Sequence, residues 1–464
     1  MLVKGNYSNR RNSLTVSVLF TVTVSVDLVD HSNSQVLNII IHYGSVSTEK
    51  PPKDRWFYNV WGHLLAFAGL GSDLWSWYQY PKNVLYYVFK LQAFCVTYIF
   101  PTSTVSQLTF LYLNFNKLSL RTRHNIYSII PISFLLNVKV ASSRREAYRK
   151  VIKDFMDRIH LHNYYMDNHT EFVRMQLIQI EKVSLAMGVG LFIFFYTSWT
   201  TWMITPFELN SRNMEAILNK TENFFTCTYL WMPFEYLYDY NKWLIANACN
   251  AYITFMAVLI IVSFDAANYI IIFHLIGHIQ ILKHNIKIAF VEGVKTSDSE
   301  AKTKLIEIIH HHRFVMEVFD DLQAAFGLNL AANYMQNLVE DGLLMYELML
   351  GDKASFFTYG LTLFVSIGEL ILMSLVLEEI QRTVDIPEIL YQYIPWEDMS
   401  VPNQRTFAIM LAKFQPIMEF RALGGFRAGV LPALSILKTT FSYYLMIKTS
   451  VQMRQQQEAE GALH

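Results

Sequence analysis

The chain has 464 residues, of which 53% are hydrophobic and only 16% charged, and its formal net charge is zero. A water-soluble chain of this length carries roughly 25% charged residues, so much of this surface faces something other than water. Neutrality, and the lack of any basic stretch interleaved with aromatics, exclude nucleic acid as a partner.

At the amino end, Arg10 and Arg11 precede an apolar run from Leu14 to Val26, the layout of a signal peptide. The run is short, rich in Thr, Ser and Val, and lacks a small-residue cleavage site. The reading taken is a cytoplasmic extension over 1–55, with a signal peptide as the alternative. Seven segments then meet or approach the roughly 20 apolar residues needed to cross a bilayer. They run from Asn83 to Pro101, Asn125 to Ser142, Val183 to Ile204, Ala246 to Ile276, Phe326 to Leu350, Phe356 to Ile380 and Gly429 to Val451. The second is the weakest, interrupted by Pro131 and closed by Lys139.

Lys and Arg placement sets direction, because positive residues stay in the cytosol. They number 7 up to Lys82, 8 from Arg144 to Lys182, 6 from Lys283 to Arg313 and 5 from Arg382 to Arg427. The alternate connections hold 3, 3 and 1. The expected fold class is therefore an all-α membrane protein of seven spans, with the amino terminus inside and the carboxyl terminus outside. Its organisation reads as 1–55 extension, 56–290 the first four spans with a long outer loop at 205–245, 291–425 anchor helices with spans five and six, and 426–464 the last span with a short outer tail. In the outer loop, Asn219-Lys220-Thr221 is a candidate glycosylation site at Asn219.

The fourth span continues past His274 and His278 to Phe290, and the fifth begins as far back as Ala301. Charges at helical spacing among apolar residues make these extensions amphipathic helices in water. Of three cysteines, Cys95, Cys227 and Cys249, only Cys227 and Cys249 offer a bridge, and free thiols are the alternative. His274, His278 and the run His310 to His312 raise a zinc reading, but no pattern completes it; packed or solvated histidines are the better account. No metal or cofactor is expected. No phosphate loop, nucleophile elbow or zinc-protease motif is present, so no enzyme is expected.

Several stretches, taken in order, resemble the insect odorant receptor family: Ile389 to Trp396, Arg405 to Pro416, Leu437 to Tyr444, Leu230 to Phe234 with Asp239, His312 to Phe326, and the aromatic-rich Trp61 to Gly71. The final span departs from the co-receptor's ending at Lys448, so the resemblance is to a tuning subunit rather than the co-receptor. It implies an odorant-binding subunit of a ligand-gated nonselective cation channel, assembled with the co-receptor as a hetero-oligomer, a tetramer, in the plasma membrane of olfactory sensory neurons. It also implies a small volatile ligand, bound among the outer ends of spans two, three, four and six. A G-protein-coupled chemoreceptor and a gustatory-type homomeric channel are the alternatives, the former opposed by the inverted topology.

Candidate ligand-binding residues are Ile130, Phe134, Phe195, Trp199, Trp202, Tyr252, Phe255, Met256, Phe356 and Tyr359, since a volatile molecule needs an enclosed apolar pocket. Membrane-interface belts use the same residue types, which is the competing reading. In the last span, the aligned Ser442-Tyr443-Tyr444 puts Met446 and Ser450 at the constriction, with Thr449 beside them; they share a helix face. Met446 gates by dewetting or packs on a neighbouring helix. Gly424 and Gly425 are candidate hinge residues between an anchor helix and the pore helix, with close packing as the alternative.

Overall fold

The computed structural model describes residues 50–461, apart from 71–83, 117, 119, 291–295, 351–352 and 382–384. The expected extension over 1–55 therefore lies almost wholly outside the described residues. Thirteen α-helices are described and no strand, a single isolated bridge between Arg421 and Arg427 excepted. In chain order they are α1 (Trp56–Phe67), α2 (Val84–Asn114), α3 (Leu120–Ser143), α4 (Glu146–Asp154), α5 (Leu161–Asn168), α6 (Glu171–Arg212), α7 (Met214–Leu218), α8 (Tyr240–Ala289), α9 (Asp298–Leu350), α10 (Lys353–Gln381), α11 (Ile386–Tyr393), α12 (Val401–Phe414) and α13 (Val430–Gly461).

Local chemistry starts and stops these helices. Thr170 accepts a hydrogen bond from the Val173 amide, and Asp239 one from the Lys242 amide, capping α6 and α8. Glu171 in the first turn of α6 and Arg212 in its last complement the helix dipole. His169 closes α5 at φ 48°, a left-handed position that histidine tolerates better than most non-glycine residues. Pro131 does not break its helix: α3 continues through it to Ser143.

Over their described residues, the seven expected spans coincide with long helices, Gly429 standing just ahead of α13. Among the described residues, five of these are apolar and long enough by themselves to cross a membrane: Thr122–Ser143, Glu171–Arg212, Tyr240–Ala289, the part of α10 from Phe356 onward, and Val430–Ser450. The other two, α2 and the second half of α9, are diluted by polar side chains that the fold buries, among them Gln92, Ser103 and Gln107 in α2 and Asn329, Asn333, Asn337, Glu340 and Asp341 in α9. Helices α6, α8 and α9, of 42, 50 and 53 residues, run to about 63, 75 and 80 Å at roughly 1.5 Å per residue. That is at least twice a hydrocarbon core of about 30 Å, so each projects well beyond it.

Three buried clusters hold the molecule together. The largest threads the bundle around α8, from Met256 to Ile281. A second joins the ends of α8 and α9 to α11 and α12 through Leu282, Ile286, Leu305, Leu390, Phe407 and Met410. This covers the apolar faces of the overrunning helices, as their amphipathic pattern demands. The third packs Phe110, Phe224, Tyr229, Tyr236 and Trp243 where the 219–239 connection folds back over α2 and α8. Cys227 and Cys249 are both free thiols. The Cys227 thiol is buried and donates to the Trp202 carbonyl at 2.6 Å, while Cys249 is exposed.

Candidate functional site

α6, α8 and α10 bring part of the expected ligand set together. Trp199 packs edge-on to Phe255 with ring centroids 5.5 Å apart, and Tyr196 joins them 5.3 Å from Phe255. Trp202 stands at 86° to Tyr359, centroids 5.3 Å apart. Each indole N–H is met by a threonine: Trp199 donates to Thr254 at 3.1 Å and Trp202 to Thr362 at 2.6 Å. Thr205 and Thr358 hydroxyls lie 2.6 Å apart, and Ser198 lies 3.2 Å from Thr362. Met256 is buried, and Phe195 packs on the same central cluster.

Other expected members go elsewhere. Ile130 packs against the third cluster with Phe110 and Tyr229. Phe134 and Phe356 point outward, 61% and 59% exposed, the disposition of belt residues. Tyr252 is half-exposed and donates to Gln92 at 2.6 Å. Sequence reading missed Tyr196 and the polar face of α10. The signal for the latter was Thr358, Thr362 and Ser366 at four-residue spacing, which puts them on one side of a helix.

Below the cage, α3, α8 and α10 meet at charged groups. Lys139, fully buried, lies 2.5 Å from Asp265 and 5.4 Å from the Phe264 ring centroid, and Glu369 lies beside the pair. Lys139 read as the residue that closes the second span; tertiary packing instead sets it opposite a carboxylate 126 positions away. Tyr148 donates to Asn268 at 3.0 Å on the next part of α8.

The far end of α10 holds the start of α13. The Gly429 amide donates to Tyr334 Oη at 3.0 Å, the Val430 amide to Glu378 at 3.4 Å, and Gln381 to the Ala428 carbonyl at 3.0 Å. An acidic Glu378 at this helix start also suits the dipole. A Cβ on Gly429, whose φ is 138°, meets Glu378 Oε2 at 2.8 Å. Gly424 and Gly425 lie in the connection between α12 and α13, ahead of this joint. They form the tip of a tight turn, with φ of 94° and 84°, whose arms pair through Ala422 to Phe426 and Ala428 to Phe420. Positive φ at both explains the glycines, and Gly429 is the glycine next to the helix.

On α13, Met446 is 58% exposed, and Thr449 and Ser450 are also exposed. Thr440, by contrast, is fully buried.

The histidines at the opposite end are core groups. The His274 Nδ1 accepts from the Leu161 amide at 3.1 Å, and His160 Nδ1 from the His162 amide at 3.1 Å. The Tyr58 hydroxyl sits 2.9 Å from His160 and 3.4 Å from His274. Burial holds His160 well below its ordinary range, with His274 and Arg55 adding to the effect. Burial likewise pushes His311 down to about 3 and His312 to about 4, the latter stacked on Phe414. His310 is exposed. Among the described residues no group of three His, Cys, Asp or Glu side chains is arranged to hold a metal ion.

The model of the 7tm odorant receptor family matches residues 127–441. The chain belongs to the odorant receptor family. It is thus a multi-pass membrane receptor and not an enzyme. Its fold is that of the insect olfactory receptor OR5 from Machilis hrabei: the structure in complex with eugenol aligns with a TM-score of 0.67 over 85% of this chain and 98% of that one, at 13% identity. A second structure of the same receptor aligns with a TM-score of 0.65, covering 84% of this chain and 97% of that one, at 12% identity. No curated protein sequence matches the chain significantly.

Proposed function

We propose that this odorant receptor is the ligand-binding, tuning subunit of a ligand-gated nonselective cation channel, assembled with the family's co-receptor in the plasma membrane of olfactory sensory neurons. The observation that carries the reading is the pairing of an aromatic cage on α6, α8 and α10 with an α13 that its own subunit leaves largely uncovered. The cage offers a volatile molecule apolar and aromatic surface, worth roughly 25 cal/mol per Å² buried. That receptor OR5 is solved with eugenol supports a small organic ligand here too.

In this reading Trp199, Trp202, Phe255, Met256 and Tyr359 contact the ligand, with Phe195 behind them. α10 carries the change to α13 through Glu378, Gln381 and Gly429. Met446, Thr449 and Ser450 line the ion path formed when subunits meet: the exposed Met446 dewets the closed pore. The amino terminus lies inside and the carboxyl terminus outside, which places exposed Asn219 on the side where a glycan is added.

Recording currents to an odour panel from cells expressing the chain alone and with the co-receptor tests this. Odour-evoked cation current only in the co-expressing cells is expected; current from the chain alone overturns the tuning assignment, and none in either overturns the channel. A carboxyl-terminal tag that stays inaccessible on intact cells contradicts the topology.

A further inference from the structure

α9 crosses the bundle with a buried polar stripe. Asn329, Asn333, Asn337, Glu340 and Asp341 follow at three- to four-residue spacing and are at most 5% exposed, Asp341 not at all. A helix in hydrocarbon keeps such groups only where they meet one another, water or a ligand. Counting donors and acceptors shows which is wanting. The Ser366 hydroxyl of α10 lies 2.8 Å from Asp341 Oδ1 and 3.1 Å from Asn337 Oδ1. It has one hydrogen and serves one of them at a time. The Asn337 amide hydrogens go to the Asn333 carbonyl at 2.8 Å and to Gln336 at 3.1 Å. Asp341 Oδ2 and Asn333 Oδ1 are buried and meet no donor. The cluster therefore leaves these two buried acceptors unmet, one of them on Asp341.

Its position ties it to the cage. Ser366 lies one turn, about 6 Å, along α10 from Thr362, and Thr362 holds the Trp202 indole N–H. Thr358, Thr362 and Ser366 occupy one side of α10, so the acceptor cluster adjoins the Trp202–Tyr359 pair. A ligand that only accepts hydrogen bonds leaves the Asp341 oxygen unmet, whereas one that donates satisfies it. Buried acceptors without donors are costly, and sites built around them reject analogues that lack the donor.

We propose that the ligand carries a hydrogen-bond donor, a hydroxyl or an ammonium, on an apolar body, with the body among Trp199, Trp202 and Tyr359 and the donor directed at Asp341. Asp341 is the specificity-determining residue, and the Ser366 hydroxyl competes with the ligand for it. This rests on the ligand reading of the cage given above. An ammonium gains further from the aromatic faces, while a hydroxyl gains from Asp341 alone, so the two sources separate by rank.

The test is concentration–response recording from cells co-expressing this chain and the co-receptor, with matched straight-chain and benzylic compounds: alcohol, primary amine, methyl ether and acetate ester on each skeleton. Donors are expected to act at concentrations at least about tenfold lower than ethers and esters of the same skeleton. Asp341→Leu is expected to close that gap by weakening donors while leaving ethers unchanged, with surface labelling confirming delivery. Alcohols ahead of amines identify a hydroxyl; the reverse order identifies an ammonium. Should Asp341→Leu fail to reach the surface, Ser366→Ala, which frees Asp341 from its donor, is expected to widen the gap. Equal potency of donors and ethers, silence to every donor, or an unchanged gap in the variants overturns the proposal. Trp202→Ala separates the two readings. If it weakens all compounds while the Asp341 and Ser366 variants discriminate none, the cage stands and the donor proposal falls. If it weakens none, the cage reading itself falls.

Discussion

Helices α8 and α13 are both apolar enough to cross a membrane, yet the structure treats them oppositely. Of its most apolar stretch, α8 has 89% of residues buried inside the chain, against 12% for α13. α8 is the internal pillar that α3, α6, α9 and α10 pack around. α13 touches mainly α9 and α10 and turns Phe441, Tyr443, Leu445, Met446 and Met453 outward. Hydropathy is blind to this difference. In the proposed channel, the covered helix serves its own chain and the uncovered one is completed by neighbouring subunits or by the water of the pore.

Breaking the pillar should cost most. Removing either Lys139 or Asp265, as Lys139→Met or Asp265→Leu, strands a buried charge at a cost of about 3–5 kcal/mol, and should abolish surface delivery. The double variant is expected to recover much of it, measured by surface labelling and by melting of the detergent-solubilised protein. No recovery would show that the pair does not act as a unit.

Matched truncations sharpen the contrast directly. Leu275→Ala, at a fully buried α8 position, should lower stability by about 2–5 kcal/mol, while Leu445→Ala on α13 stays within about 0.5 kcal/mol in the isolated subunit. Equal losses would mean that α13 is packed within its own chain.

pH sharpens it from the anchor side. His311 is neutral and buried, its folded value depressed to about 3, so the unfolded chain takes up its proton first as pH falls. Its contribution is complete above about 6.5 and shrinks as pH drops towards 3, by about 2 kcal/mol at pH 5. His311→Phe should flatten the melting-temperature profile between pH 7 and pH 5, where α13 variants leave it unchanged.

The joint between α10 and α13 comes next. Gly429→Ala places a methyl against Glu378 at a strained φ, at about 1–3 kcal/mol, and should reduce evoked current more than surface delivery. Last in stability but not in function, Met446→Ser should leave melting unchanged within about 0.5 kcal/mol and raise leak current by wetting the constriction.

Much of the architecture was legible in the chain, because apolar runs of bilayer length and amphipathic overruns are local signals. The extension of the fourth span past His278 and the early start of the fifth could be read from charges at helical spacing. Trp199, Trp202, Phe255 and Tyr359 stood out as aromatic groups near span ends, and the fold sets them in two edge-on pairs. Phe134 and Phe356 carried the same signal and face outward, because composition does not say which side of a helix meets its partners. Gly424 and Gly425 stood out because paired glycines bend chains; only the cross-turn hydrogen bonds show that they form the tip of a turn. The Lys139–Asp265 pair was illegible, for neither residue has a sequence neighbour that announces the other.

By itself the sequence determined that the chain is helical and membrane-spanning, where its helices run, and which family's motifs it carries. All of these follow from residue chemistry read over a few turns. Tertiary structure alone decided which helix became the buried pillar and which was left uncovered, which aromatics closed into a cage, and where polar groups met across the bundle. Those depend on the rotation of each helix about its own axis, and that angle is set by packing among residues far apart in the chain.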